Sequence, residues 1–242
     1  MPVSRLMGRV RKAVRLLSDP VFLSGLRLGV GAAIEHEAAL RPLDLRSLVD
    51  VGANKGQFSL LVRSVAPSAR IHAFEPLPRP GSLYLRLFSN DPQVTLYPVA
   101  LGESAGTAII HISGREDSSS LLPISATQDN LFPGTAEAGQ AEIRVERGDD
   151  VLAGIDLPHP LMVKLDVQGF ELSALRGLTQ TLARADYVYA EISFLALYEG
   201  QPLADEIIDW LRSNGFRLAG IYNLTLSPEG ASVQADALFT RC

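Results

Sequence analysis

The sequence contains a single cysteine, Cys242. One thiol cannot form an intramolecular disulfide framework, and it cannot supply a cysteine-based zinc cluster. Such low cysteine usage is typical of proteins kept in a reducing compartment, so we predict a cytoplasmic location.

Long hydrophobic runs are also missing. No stretch approaches the roughly 20 consecutive apolar residues that a bilayer-spanning helix needs. The basic start at residues 1–15 is followed by only Leu16 and Leu17 before the polar Ser18 and Asp19. This apolar segment is too short for a secretion signal. The sequence therefore predicts neither a transmembrane segment nor secretion.

An excess of positive charge is the third feature that the chain lacks. The 22 basic residues are outnumbered by 27 acidic ones, which gives a formal net charge of -5. No overall positive field is available to attract a polyanion. We therefore expect no nucleic-acid partner.

Length and hydrophobic patterning predict one large domain. The chain has 242 residues, of which 47% are hydrophobic, and this suffices for a well-buried core. Apolar strands alternate with helical segments after residue 44, which is typical of a doubly wound, mostly parallel α/β sheet. The predicted strands are 47–51, 71–74, 94–101, 107–112, 141–145, 161–167, 187–192, 216–222 and 233–240, with a long polar loop at 113–139.

Residues 1–44 are predicted to form a helical extension that precedes the domain at residues 45–242. Apolar positions such as Val3, Leu6, Val10 and Leu17 recur at helical spacing with arginines between them. The resulting basic amphipathic helix has two interpretations. It packs on the domain, which we favour, or it contacts an anionic membrane or a partner.

The segment Leu-Val-Asp-Val-Gly-Ala-Asn-Lys-Gly at residues 48–56 runs from a strand into a tight turn and a helix. Gly52 and Gly56 permit close backbone approach to a ligand, where a β-carbon would collide with it. The helix that begins near Gln57 directs free amide groups to the same place. Because this turn lies at the carboxyl end of a parallel strand, we expect a nucleotide-like ligand there.

An acidic residue, Glu75, ends the next predicted strand, 23 positions beyond Gly52 (75 minus 52). A carboxylate there can accept hydrogen bonds from both hydroxyls of a ribose. Dinucleotide-binding enzymes share this arrangement, but the turn lacks the full Gly-x-Gly-x-x-Gly pattern. Asp50 is also expected to face an ammonium group, since a carboxylate would repel a pyrophosphate. These two features favour S-adenosylmethionine over a nicotinamide dinucleotide.

Several motifs resemble those of the FkbM-type methyltransferases. Residues 50–58, Asp-Val-Gly-Ala-Asn-Lys-Gly-Gln-Phe, resemble the opening signature of that family, and residues 74–76, Phe-Glu-Pro, resemble its ribose-binding strand end. Residues 100–102, Ala-Leu-Gly, resemble the turn after its third strand, and residues 118–121, Ser-Ser-Ser-Leu, resemble its serine-rich loop. Residues 164–171, Lys-Leu-Asp-Val-Gln-Gly-Phe-Glu, resemble its most diagnostic block. The matches follow in order over roughly residues 45–220.

The resemblance implies a seven-stranded Rossmann-like methyltransferase that uses S-adenosylmethionine. It further implies O-methylation of a hydroxyl on a sugar, polysaccharide or natural-product acceptor. One departure is Gln168, where the family more often has glutamate. The donor-binding residues that the resemblance implies are Asp50, Gly52, Ala53, Asn54, Gly56, Phe58, Glu75, Pro76, Ala100, Leu101 and Asp166.

Three residues are candidates for the chemistry at the acceptor. Asp166 follows the central strand and is predicted to act as a base or to orient the acceptor. Glu191, which ends the following strand, could join Asp166 in holding a divalent ion, although we do not favour metal use. Lys164 is expected to point to the same side of its strand as Asp166 and to form a buried ion pair that holds Asp166 or Glu191 in place. His36 could reach the mouth of the acceptor site.

Other functions stay open at this point. A nicotinamide-dependent oxidoreductase would bind a dinucleotide, whereas a non-catalytic module would bind S-adenosylmethionine without turnover. A nucleic-acid methyltransferase is disfavoured by the acidic charge balance and by the absence of an Asn-Pro-Pro-Tyr-type motif. The sequence leaves the acceptor and the oligomeric state undetermined.

Overall fold

The structure is a computed structural model, and it describes residues 14–242. Most of the basic helix predicted at residues 3–17 therefore lies outside the described residues. The strands, in chain order, are β1 (Ser47–Val51), β2 (Arg70–Phe74), β3 (Val94–Tyr97), β4 (Ala100–Leu101), β5 (Gly106–Ser113), β6 (Glu137–Glu146), β7 (Leu161–Leu165), β8 (Tyr187–Ser193), β9 (Phe216–Leu226) and β10 (Ser232–Arg241). The helices are α1 (Pro20–Arg27), α2 (Glu37–Leu40), α3 (Gln57–Val65), α4 (Pro78–Leu87), α5 (Ala126–Leu131), α6 (Gly148–Val151), α7 (Glu171–Arg176), α8 (Thr179–Arg184) and α9 (Ala204–Ser213), with 3-10 turns at Ile34–His36 and Glu116–Ser118.

Seven strands form one sheet in the order β3-β2-β1-β7-β8-β10-β9. Strand β1 is parallel to both β2 and β7, whereas β10 is antiparallel to β8 and β9. The predicted α/β fold with a mostly parallel, seven-stranded sheet is therefore confirmed. The chain order reverses at β1, and ligands of such sheets bind outside the carboxyl ends of the strands at this reversal.

Side chains of the central strands alternate between two hydrophobic clusters, one on each face of the sheet. Val49 packs in the cluster that includes Leu175 of α7, and Leu48 packs in the cluster that includes Leu61 of α3. This alternation is why β1 is apolar along its length, as the predicted parallel sheet requires. Phe22 of α1 belongs to the second cluster, so the segment before β1 packs against α3. Among residues 14–242, no helix is both long enough and apolar enough to cross a bilayer.

The single strand predicted at residues 94–101 is wrong. Strand β3 ends at Tyr97, and Ala100–Leu101 instead pairs with β6 in a second sheet of order β4-β6-β5. Pro98 lies at the break, and a proline has no backbone N–H to continue a ladder of hydrogen bonds. The strands predicted at 107–112 and 141–145 are confirmed as an antiparallel pair. The loop between them contains α5, whose first turn is capped by Ser125.

The turn after β1 brings two strand ends into direct backbone contact. Gly52 has a φ of +78°, and its amide and that of Ala53 both donate to Phe74 O, at 3.1 and 3.0 Å. A β-carbon on Gly52 would lie 1.9 Å from the backbone oxygen of Asp166. At Gly56, where φ is +92°, it would lie 2.8 Å from the ring of Phe88. The chain itself therefore requires these glycines, whereas we had predicted that a ligand would.

We predict that Gly52→Ala destabilises the protein far more than a glycine substitution at an equally left-handed but open position. The matched control is Gly154→Ala, because Gly154 has a φ of +74° and no atom within 4 Å of the β-carbon site. Gly154→Ala should lower the free energy of unfolding by about 1–2 kcal/mol, because alanine is strained in this backbone conformation. Gly52→Ala should lower the free energy of unfolding by roughly a further 1–3 kcal/mol, because its β-carbon also collides with the backbone of Asp166. Urea unfolding measures both, and equal losses would contradict the close contact.

Candidate active site

A cavity of about 490 Å³ opens at the carboxyl ends of β1, β2 and β7. Its volume lies within the roughly 300–1,000 Å³ of small-molecule sites, and its position is the one that the sheet topology predicts. Asp50, Gly56 and Glu191 do not line it. The predicted site residues that do line it are Gly52, Ala53, Asn54, Phe58, Glu75, Pro76, Ala100, Leu101, Lys164 and Asp166.

Asp50 lies beneath the cavity floor, so its predicted contact with the ligand's ammonium group is wrong. Its side chain is 0% exposed, and the ammonium that it faces belongs to Lys164, with Nζ 3.0 Å from Oδ1. Ser59 donates to the other carboxylate oxygen at 2.7 Å. Lys164 Nζ also donates to Gly52 O at 2.9 Å, which fixes the turn. Burial opposes the charge on Lys164, but Asp50 and Asp166 outweigh it and raise the pKa of Lys164.

Glu75 forms one wall of the cavity immediately after β2. It is 6% exposed, and its two oxygens accept hydrogen bonds from the backbone amides of Asn54 (2.9 Å) and Leu77 (2.8 Å). Burial raises the pKa of Glu75 to about 7, although both amides and Lys164 act in the opposite direction. Each carboxylate oxygen can accept a further hydrogen bond. A ribose diol in the cavity is the complementary donor.

Gln168 bridges Asp166 and Glu191. The sequence marks Gln168 only as a departure from the family pattern and does not predict this bridge. Its Nε2 donates to Asp166 Oδ1 at 2.6 Å and to Glu191 Oε2 at 3.2 Å. Its Oε1 accepts from the hydroxyl of Tyr198 at 2.7 Å. Gln168 has a φ of +55°, in a turn completed by Gly169. A glutamate at this position could not donate to either carboxylate unless it were protonated.

Glu191 does not line the cavity but supports it from behind Asp166. Gln234 donates to its Oε1 at 2.6 Å. Burial raises the pKa of Glu191 well above its ordinary value, and the negative charges of Asp166, Glu171 and Asp236 add to the rise. Glu171 is likewise buried, which raises its pKa to about 7 although it accepts from the amides of Val167 and Gly169. The contacts of Glu191 place it one hydrogen bond away from the cavity, through Gln168, and its catalytic role stays a prediction.

The geometry around Asp166 and Glu191 bears on the metal site that the sequence suggested for this pair. In the described part of the chain, no three His, Cys, Asp or Glu side chains are grouped as they would be to hold a metal ion. Asp166 and Glu191 share the amide of Gln168, which is a hydrogen-bond donor and occupies the space between their oxygens. A cation would have to displace that amide.

His36 reaches the cavity, as the sequence suggested that it could. It lies in the 3-10 turn before α2, and its Nδ1 is 3.0 Å from the hydroxyl of Tyr189 and 3.3 Å from Asp236 Oδ2. Tyr189 and Asp236 also line the cavity, yet both escaped sequence reasoning. No local motif marks them, because β8 and β10 are far apart in sequence and adjacent only in the sheet.

Comparison with known proteins assigns the family. The model of the family described as Methyltransferase FkbM domain matches residues 50–218. The chain belongs to this family, which confirms the resemblance read from its motifs. The matched range includes β1 with its glycine turn, Glu75, and the block at residues 164–171.

The individual proteins that the chain resembles share a modest fraction of its residues. The chain is 24% identical over 200 residues to the 2-O-methyltransferase NoeI of Sinorhizobium fredii, covering 79% of this chain and 82% of that protein. It is 30% identical over 147 residues to the hexuronic acid methyltransferase AglP of Haloferax volcanii, covering 60% of this chain and 55% of that protein. Among solved structures, Aeropyrum pernix fibrillarin with bound S-adenosyl-L-methionine aligns with a TM-score of 0.47 and 11% identity over 82% of this chain and 67% of that one.

The protein is an S-adenosylmethionine-dependent methyltransferase. When bound, this donor supplies a methyl group already activated on a sulfonium. The cavity fits it, because a nearly buried carboxylate, Glu75, presents acceptor oxygens for a ribose where β2 ends. Apolar side chains of Phe58, Ala100 and Leu101 line the same space.

We predict that nucleoside affinity depends on the ionisation of Glu75. Below pH 7 a proton occupies this carboxyl and removes an acceptor, so affinity should fall by up to about tenfold per pH unit. Above pH 7 the carboxylate is present and affinity should level off. Calorimetry from pH 5.5 to 8.5 with 5′-methylthioadenosine, which lacks the titratable amino-acid group of the donor, measures this dependence.

Glu75→Gln should weaken binding and abolish the pH dependence. Glu171→Gln is the matched control, because Glu171 has a pKa raised to the same value but lies outside the cavity. The control should retain the pH dependence of the natural protein. A pH dependence that survives Glu75→Gln would assign it to another group.

Proposed function

We propose that the protein transfers the methyl group to a hydroxyl oxygen of a sugar-like acceptor. The names of two relatives, a 2-O-methyltransferase and a hexuronic acid methyltransferase, support this acceptor class. In this proposal Glu75 binds the ribose of the donor, and residues 52–54 with Phe58, Pro76, Ala100 and Leu101 enclose the rest of it. The acceptor then occupies the part of the cavity bounded by α5, β10 and the segment before α2.

The observation that carries the proposal is a residue of the cavity wall whose side-chain oxygen is buried and unpaired. Gln128 of α5 is 3% exposed, and its Oε1 has no hydrogen-bond partner among residues 14–242. A buried carbonyl oxygen without a donor costs about 1–3 kcal/mol. Native structures retain such atoms where a ligand or water satisfies them. A hydroxyl-bearing acceptor is the complementary partner once rotation of the Gln128 side chain turns this covered oxygen toward the cavity.

Asp166 is the residue that we propose to contact the reacting hydroxyl. Its side chain is 45% exposed, much more than that of its neighbour Lys164, and it lines the cavity. Gln168 holds one carboxylate oxygen, so the other can accept the O–H of the acceptor and orient it. Alignment of this kind can contribute about 7–11 kcal/mol to lowering a reaction barrier.

We predict that methyl label from S-adenosylmethionine appears on an oxygen of a glycan or glycoside. The purified protein is incubated with methyl-labelled donor and extracts of the source cells, together with a panel of neutral and acidic methyl glycosides. Asp166→Ala should reduce turnover by at least about 100-fold while donor affinity by calorimetry stays within a few-fold. Asp156→Ala, at the opposite end of the sheet, should be close to the natural protein. Label on nitrogen or carbon would contradict the proposal.

We predict opposite effects of Gln128→Met on stability and on acceptor binding. Removal of the unpaired oxygen should leave the free energy of unfolding unchanged or raise it by up to about 1–3 kcal/mol. The KM for the acceptor should rise on the order of 10- to 100-fold, with donor affinity unchanged.

Gln201→Met is the control, because the amide of Gln201 is bonded to the backbone amides of Leu197 and Tyr198 and to Ser193. It should lose stability. A loss of the same size in Gln128→Met, with no change in KM, would show that Gln128 has a structural role.

A further inference from the structure

The imidazole of His36 is held at one nitrogen by three strands of the sheet. Its Nδ1 lies 3.0 Å from Tyr189 Oη of β8, 3.2 Å from Asn223 Nδ2 of β9, and 3.3 Å from Asp236 Oδ2 of β10. The ring also packs edge-on against Phe58 and Tyr189, with centroids 5.5 and 5.6 Å away. A histidine on a short turn is therefore fixed in orientation by the rigid part of the fold.

The three partners of Nδ1 differ in what they can donate. The Tyr189 hydroxyl can donate or accept, the Asn223 amide can only donate and already gives one proton to Asp236 Oδ2 at 2.7 Å, and the carboxylate, which carries the only full charge among them, can only accept. A proton on Nδ1 faces that carboxylate, whereas a lone pair on Nδ1 would face its negative charge. The neutral ring is therefore expected to carry its proton on Nδ1. Its other nitrogen, Nε2, is left with a lone pair.

The Nε2 atom of His36 has no protein partner in the described part of the chain. Among residues 14–242, every hydrogen bond and ion pair of His36 is made through Nδ1. His36 and Asp236 both line the cavity, as does Gln234 two residues before Asp236. They lie over β8 and β10, on the side of β1 opposite to Glu75 and β2. This is the side that remains for an acceptor when the ribose is bound at Glu75.

We propose that His36 is the general base of the methyl transfer and that Asp236 is its positioning residue. The inference rests on the proposed function, because it requires a hydroxyl acceptor. As the acceptor oxygen bonds to the methyl carbon, its O–H bond breaks and the proton moves to Nε2. The electron pair of the broken carbon–sulfur bond stays on sulfur. The imidazolium faces Asp236 and then releases the proton to water.

The proposal divides two tasks between Asp166 and His36. Asp166 already accepts the amide of Gln168 and orients the hydroxyl, whereas His36 has an unoccupied lone pair for the proton. The polar groups in contact with His36 are Asp236, Tyr189 and Asn223, and the charged or titratable groups near Tyr189 are Asp236, Tyr222 and Glu35. On the far side of the Phe58 ring lies the ammonium of Lys164, 5.6 Å from the centroid.

The first test needs no acceptor. Long-range 1H–15N spectra of the 15N-labelled protein report which imidazole nitrogen is protonated, and His36→Gln identifies the signal. We expect neutral His36 to be protonated on Nδ1, and Asp236→Asn to shift it toward the Nε2 form. Protonation on Nε2 in the natural protein would overturn the proposal.

The second test uses the labelled acceptor. His36→Gln should lower kcat on the order of 10²- to 10⁴-fold, with donor affinity unchanged. Asp236→Asn should lower kcat at least about tenfold. The control is His111→Gln, since His111 pairs with Glu137 on the small sheet outside the cavity.

The outcomes separate the two proposals. Natural kcat in His36→Gln would overturn the assignment of the base while leaving O-methylation intact. Failure of the natural protein to label any hydroxyl would overturn the proposed function, and with it the role of His36 as a base, whatever the tautomer.

Discussion

The ammonium group of Lys164, buried between β1 and β7, is the interaction on which the site depends. It reaches Asp50 on one side and the carbonyl oxygen of Gly52 on the other. Removing one partner of such a pair leaves an uncompensated buried charge, which typically costs about 3–5 kcal/mol. The pair therefore holds the glycine turn in the one position in which β1, Glu75 and Asp166 surround a common space.

Left-handed backbone conformations are concentrated at the same place. Asn54 and Gln168 have φ values of +47° and +55°, and each follows a central strand within a few residues. Such conformations persist where the surrounding structure over-determines them, and they are common at ligand sites. Here the amide of Asn54 is directed at Glu75, and the side chain of Gln168 reaches both Asp166 and Glu191. These left-handed conformations therefore orient polar groups that residues within the strands could not bring to the site.

The sequence predicted those parts of the protein that are encoded locally. The strand at Ser47–Val51, the glycine turn and Glu75 follow from short patterns, and the family motifs extended them to residues 164–171. Sequence reasoning failed where the outcome depends on pairing across the sheet. Pro98 diverts Ala100–Leu101 to a second sheet, and Asp50 faces an internal ammonium in place of a ligand's. Asp236 approaches His36 only because β10 inserts between β8 and β9.

A double-mutant cycle on donor affinity tests the central claim most directly. Binding of S-adenosylhomocysteine is measured by calorimetry for Asp50→Asn, Lys164→Met and the double variant. Because Asp50 does not line the cavity, it acts on binding through the groups around it, of which the Lys164 ammonium and the glycine turn are the ones that the cycle isolates. We expect both single variants to bind more weakly and the double variant to bind no worse than either, with a coupling of about 0.5–3 kcal/mol. Unchanged affinity in Asp50→Asn, or strictly additive losses, would contradict the account.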